Sequence, residues 1–254
     1  MLDPNEVTQT KPDTTVSRYL ERVLERRDTL RAEEREILRS LPVERVSYGD
    51  GETIIQEGPA PDRSCLLIAG MATRVHRIGR HDRITSALHV PGDFVDLHAF
   101  LLRDIDHDIV AHGDCQVEFV SHEALEELSR TQPHLTRLLW MCTLIDAKLH
   151  RIWIATRARL RAADRIGHLF CELNARLEVV GLATGGRFDF PFDQRALANI
   201  LGYSAVHLNR AVQDLRAAGL LVWDRRKIHL PDPSKLATEV GFKPSYLEIG
   251  SHPR

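Results

Sequence analysis

The chain lacks any run of about 18 uncharged residues, the length needed to cross a bilayer, and no membrane-spanning helix is expected. Its opening residues, MLDPNEVTQTKPD, have neither the basic nor the apolar segment of an export signal. Cysteine is sparse and scattered. Cys65, Cys115, Cys142 and Cys171 form no CxxC pair, which argues against a zinc knuckle, an iron–sulfur loop or a disulfide framework. A reducing cytoplasm is the expected compartment. No G-x-S-x-G, P-loop, HExxH or paired-carboxylate motif occurs, so neither catalytic residues nor a metal site are expected. Nor is there a surplus of one charge: 34 basic residues against 36 acidic ones leave −2, so any nucleic-acid surface must be local.

What is present suggests two domains in 254 residues. Residues 1–16, polar with Pro4 and Pro12, read as a disordered N-terminus. Tyr19, Leu20, Val23 and Leu24, then Leu30, Ile37, Leu38 and Leu41, space two short amphipathic helices. From Val43 to Ser121 the period changes. The runs TIIQ, SCLLIAG, ATRVHRI, ITSALHV and CQVEFV have strand length and are cut by Gly70, Gly79, Pro91-Gly92-Asp93 and other turn residues. This pattern predicts an all-β barrel or roll rather than a parallel sheet with crossover helices.

A long helix is expected next, with Thr131 as its N-cap and Pro133 at its first position. Leu135, Leu138, Cys142, Ile145, Leu149 and Ile152 recur at heptad spacing, whereas Leu139, Trp140, Leu144 and Trp153 lie off that seam. Two apolar surfaces on one helix need two partners. The expectation is that the off-seam residues meet the roll and the seam meets the same helix of a second subunit; the alternative is a helix wholly buried in its own domain. A further helix from about Arg161 carries Ile166, Phe170, Leu173 and Leu177 on one face and stops at a glycine loop.

Residues 188–230 hold the most specific pattern. Ala198, Gly202 and Leu208 supply the small residue, the turn and the core contact of a helix-turn-helix, with Asp193 and Ser204 as N-caps. Leu220 to Trp223 and Ile228 to Leu230 flank the turn Asp224-Arg225-Arg226-Lys227, a hairpin wing. Between Ser204 and Lys227, Arg210, Arg216, Arg225, Arg226 and Lys227 stand against Asp214 and Asp224, a local net of +3 suited to phosphates. Ser204, Ala205, Val206, His207, Asn209, Arg210 and Gln213 are the expected DNA-facing residues of the second helix, with Arg210 the foremost base reader. Gln194, Arg195, Arg225, Arg226 and Lys227 are expected to position the backbone. A winged helix used only for protein contacts is the alternative.

The order of these parts, together with PGDFVDLHAF, RIGHLFCEL, LANILGYSAVHLNRAVQDLRAAGLL and FKPSYL, resembles the Crp/Fnr superfamily of bacterial transcription regulators over about residues 17–247. The resemblance implies an α+β chain: a cyclic-nucleotide-binding-like β-roll of jelly-roll type, a long dimerisation helix and a winged helix-turn-helix. The corresponding divisions are 17–130 for the roll and its N-terminal helices, 131–160 for the dimerisation helix, 161–235 for the DNA-binding domain and 236–254 for a tail. It further implies a homodimer on palindromic double-stranded DNA, with RNA polymerase as a partner. Cyclic-nucleotide-binding members hold the phosphate with an Arg, where this chain has His107 flanked by Asp106 and Asp108, so cyclic AMP and cyclic GMP are not expected as effectors. An iron–sulfur cluster is not expected either, since residues 1–40 contain no Cys. The effector is therefore unassigned, with Asp96, His98, Arg103 and His107 as candidate contacts and Arg103 as the only nearby cation. His76, His81, His89 and His112 also crowd the roll, as solvated or hydrogen-bonded residues rather than ligands. Two alternatives remain open: a ligand-independent regulator with a vestigial roll, and a regulator sensing redox state through its cysteines.

Overall fold

The computed structural model describes residues 18–79 and 82–250. The expected disorder of residues 1–16 and the placement of His81 fall outside them. Two amphipathic helices, α1 (Arg18–Glu25) and α2 (Ala32–Ser40), bury Leu20, Leu24 and Leu38 against the roll that follows.

That roll comprises β1 (Val43–Tyr48), β2 (Thr53–Ile55), β3 (Gly58–Pro59), β4 (Arg63–Ile78), β5 (Asp82–His89), β6 (Asp104–Ile105) and β7 (Asp108–Ser121). The main sheet is antiparallel, ordered β1-β7-β4-β5, with β2 also on β7; β3 and β6 pair as a separate ribbon. SCLLIAG and ATRVHRI, read from the sequence as two strands, are one. β4 runs through Gly70, where its register against β7 shifts and φ is +75°. A Cβ at Gly70 would stand 2.5 Å from Cys115 Sγ, so only glycine lets the strand continue.

After α3 (His122–Thr131) comes the 27-residue α4 (Pro133–Arg159). Thr131 does not cap α4. It closes α3, donating its hydroxyl to the Glu127 carbonyl at 2.9 Å, because Pro133 at the first position of α4 needs no donor satisfied.

The seam expected on α4 is corrected by the packing. Leu135, Leu138 and Ile145 are buried in the chain's own core, Cys142 receives a bond from Arg27 Nη1 at 2.7 Å, and Leu149 and Ile152 are half-buried. The residues expected to meet the roll divide: Leu139 is buried and Trp153 half-buried, but Trp140 and Leu144 are 61% and 65% exposed. The outward row is Trp140, Leu144, Arg151, Ile154 and Ala158, all exposed, with the half-buried Ala147 completing the spacing.

α5 (Ala162–Val180) buries Ile166, Phe170, Leu173 and Leu177 in the core of the winged lobe. Beyond it lie β8 (Ala183–Thr184), β9 (Arg187–Asp189), α6 (Gln194–Leu201), α7 (Ala205–Ala217), β10 (Val222–Asp224), β11 (Lys227–His229) and α8 (Pro233–Val240). The four strands pair in the order β10-β11-β9-β8, so the wing hairpin is half of a larger sheet. The expected boundary at 235/236 falls inside α8, whose Leu236 and Val240 pack with that same core.

The two lobes are not separate. Met71, Leu88 and Val90 of the roll join the winged lobe's hydrophobic core, and the His112 ring lies 4.6 Å from that of Phe192. Arg176 on α5 donates to the Leu88 carbonyl at 3.1 Å, and Arg22 on α1 to the Val180 carbonyl at 2.6 Å.

Candidate nucleic-acid interface and sensor cavity

α6 and α7 begin and end where their residues require it. The Asp193 carboxylate accepts from the Ala196 N–H at 2.7 Å and the Ser204 hydroxyl from the His207 N–H at 3.2 Å, so both helix starts are capped. Between them Gly202, at φ +73°, ends α6 in the left-handed region, where a side chain would be strained. Leu197, Ala198, Leu208, Val212 and Leu215 then bury the faces that meet.

The opposite face of α7 is bare. Ser204, Ala205, Val206, His207, Asn209, Arg210 and Gln213 all face away from the core, and Val206 is 66% exposed despite being apolar. Val206, Arg210 and Gln213 follow one another at helical spacing and form one row. Asn209 Nδ2 donates to Gln194 Oε1 at 2.9 Å, tying α7 to the start of α6. Arg195 is exposed on α6. Arg225, Arg226 and Lys227 are exposed at the wing tip, where Lys227 Nζ lies 3.6 Å from Asp189. Arg216, counted with the basic set, is half-buried and spends a donor on the Trp223 carbonyl.

The expected effector residues do not converge. A cavity of about 570 Å³ opens between the roll, α4 and the start of α5, within the range of small-molecule sites. His98 and His107 line it; Asp96 and Arg103 do not. Asp96 is sealed in the roll, accepting the Cys65 N–H at 2.6 Å, and burial raises its carboxyl to about 7. Arg103 is exposed, and its carbonyl pins Ala60 at 2.9 Å.

The cation missed from the sequence is Arg74 of β4. Its guanidinium is buried and donates to Asp146 at 2.9 Å, His150 Nε2 at 2.8 Å and the Val95 carbonyl at 2.7 Å. Arg103 is therefore not the only cation near the site. Nor is Asp108 a free anion: it accepts from Arg77 at 2.8 Å and lies 3.3 Å from Arg83.

Histidines surround Arg74. Burial pushes His107 and His150 down to about 4, with Arg74 adding to the effect, so both are neutral at pH 7. His107 Nδ1 donates to Asp106 at 2.7 Å, which leaves its Nε2 without a proton; that atom is buried and has no protein partner. The His98 ring lies 5.3 Å away. Among the described residues no group of three or more His, Cys, Asp or Glu could hold a metal ion, and no helix is long and apolar enough to cross a membrane.

Relatives agree with this arrangement. Residues 45–132 match the cyclic nucleotide-binding domain and residues 164–239 the Crp-like helix-turn-helix domain. The transcriptional activator protein FnrL of Cereibacter sphaeroides is 25% identical over 199 residues, 77% of this chain and 79% of that protein. FixK2 from Bradyrhizobium japonicum superposes with a TM-score of 0.68 at 24% identity, covering 78% of this chain and 97% of that one. The c-di-GMP responsive regulator CLP of Xanthomonas campestris shares the fold, with a TM-score of 0.54 at 18% identity over 84% of this chain and 98% of that one. A nucleotide-binding-type roll followed by a winged helix-turn-helix defines a DNA-binding transcription regulator rather than an enzyme, and the chain belongs to the Crp/Fnr family of such regulators.

Proposed function

We propose that the chain acts as a homodimer on a palindromic operator, with one α7 in the major groove of each half-site and the roll cavity holding the effector. The observation that carries this reading is the row of Val206, Arg210 and Gln213, solvent-exposed on a helix whose other face is wholly buried. Such a row offers an apolar contact for a thymine methyl, a fork for guanine and an amide for adenine. Ser204, Ala205, His207 and Asn209 flank the row, while Gln194, Arg195, Arg225, Arg226 and Lys227 hold phosphates.

Dimerisation uses the outward row of α4, from Trp140 to Ala158, since the row first expected is spent inside the chain. Its period of 4 and 3 suits a two-stranded coil, and exposing a Trp, a Leu and an Ile together needs a cover. Cyclic AMP and cyclic GMP are not the effectors on this reading, because Arg74 is already committed to Asp146, His150 and Val95. The redox alternative has no support at Cys65, Cys115 or Cys171: burial pushes each thiol up, that of Cys171 to about 12, away from the reactive thiolate. RNA polymerase is the partner that would read the bound dimer.

Selection of operators from random duplex DNA tests the proposal. Two inverted half-sites about 34 Å apart are expected, and Arg210→Ala should cost about 1–3 kcal/mol and relax one base pair in each half-site. Uniform weakening without a change in sequence preference would remove Arg210 as a reader.

A further inference from the structure

The cavity between the roll and α4 ends at a cation that the fold leaves unmatched. Arg165 of α5 is 6% exposed and lines the cavity wall. Its Nη1 donates to the Leu201 carbonyl at 2.8 Å, and its guanidinium stands 5.4 Å from the centre of the Tyr203 ring. Among the described residues no carboxylate pairs with it. Burying a full charge beside one carbonyl and one ring is costly unless an anion arrives.

Charge around the cavity points the same way. Arg74, Arg157 and Arg165 line it against Asp106 and Asp146, so three positive charges meet two negative ones. Arg74 of the roll and Asp146 of α4 cancel each other, which puts the excess at the Arg157 and Arg165 end. Ile84, Ala147, Trp153 and Ile154 form an apolar wall along the same space.

We propose that this cavity takes an organic monoanion, a carboxylic acid with an apolar body, whose carboxylate binds Arg165 while the body lies along Ile84 and Trp153. The inference rests on the reading of the cavity as the effector site and names the ligand's chemistry. A guanidinium fork donates two parallel bonds to a carboxylate, and a single charge matches the single excess. A phosphate monoester would overfill the charge and press against Asp106 and Asp146.

The position of Arg165 makes occupancy felt by the DNA-reading unit. Leu201 is the last residue of α6, and the Arg157 guanidinium lies beside Gly202, where a Cβ would stand 3.4 Å from Nη2. Arg165 thus braces the turn that sets α7, and a carboxylate competes with the Leu201 carbonyl for its donors. A ligand at this end biases the turn directly, without passing through the roll.

Calorimetry with benzoate and hexanoate, each against the full-length protein, tests the proposal, with benzamide, inorganic phosphate and cyclic AMP as comparisons. At least one acid should bind saturably and change operator affinity, and Arg165→Gln should weaken it about tenfold or more, as expected for losing a charge-assisted bond. Should Arg165→Gln not fold, Ile84→Trp, which fills the cavity and keeps the arginine, should abolish the same binding. No saturable heat from either acid, equal binding by the variants, or equal binding of benzamide, phosphate or cyclic AMP would each overturn the proposal. No acid binding by the unaltered chain, while it still selects an operator, defeats this inference alone; failure to select any operator defeats the regulator reading instead.

Discussion

Arg176 of α5 and Asp93 in the turn after β5 form an ion pair that ties the winged lobe to the roll. The same guanidinium holds Glu172 at 3.1 Å one helical turn back, and Tyr246 donates its hydroxyl to the other oxygen of Glu172 at 2.9 Å. Burial alone would raise the Asp93 carboxyl, but Arg176 and His89 overcome it and set it at about 2. Glu172, deeper, is pushed up by burial.

Removing the shared cation should therefore hurt more than removing either acid. Arg176→Gln is expected to cost about 3–5 kcal/mol in urea unfolding, because the buried Glu172 and the half-buried Asp93 lose their counter-charge together. A cost under about 1 kcal/mol, the scale of an exposed pair, would mean the network does not hold the lobes.

Asp96 makes stability depend on pH in the unusual direction. Burial lifts its native carboxyl to about 7 from the 3.8 of an ordinary aspartate, so between those values the native chain keeps a proton that the unfolded chain has released. Stability should fall as pH rises through that window, by on the order of 4 kcal/mol, and level off above it. Asp96→Asn keeps an acceptor for the Cys65 N–H and should flatten this slope. Equal slopes in the two proteins between pH 5 and pH 7 would contradict the assignment.

Leu144→Glu should separate the proposed dimer and leave each chain folded, since Leu144 faces outward on α4. Sedimentation at low micromolar concentration checks this, and a variant still dimeric there would mean the outward row is not the seam. Leu138→Glu, by contrast, should unfold the roll, because Leu138 is buried in its core.

Arg226→Ala should weaken every DNA sequence alike and reduce the slope of log affinity against log salt by about 1, the mark of one lost phosphate contact. A change in base preference would make Arg226 a reader and not a positioning residue.

The helix-turn-helix was legible from the sequence because its signals are local: Asp193 and Ser204 cap helices three residues downstream, and Gly202 turns the chain between them. The outward row of α4 was not. Two overlapping heptads share that helix, and the stronger apolar one, from Leu135, is claimed by the chain's own core, a preference set by the roll rather than by spacing. Arg74 escaped notice for a related reason. It stands within ATRVHRI, which reads as plain strand, and its partner Asp146 lies 72 residues away. Of the four effector candidates, His98 and His107 reach the cavity, whereas Asp96 and Arg103 were drawn in by proximity along the chain alone.

The shared packing of Met71, Leu88 and Val90 with the winged lobe limits how far this chain can be treated as modular. A chimera that grafts a foreign DNA-reading lobe after α4 would leave those three side chains facing water unless the graft brought a matching surface. Swapping specificity in this scaffold therefore means rewriting the exposed row of α7 in place, where Val206, Arg210 and Gln213 can change without disturbing the joint.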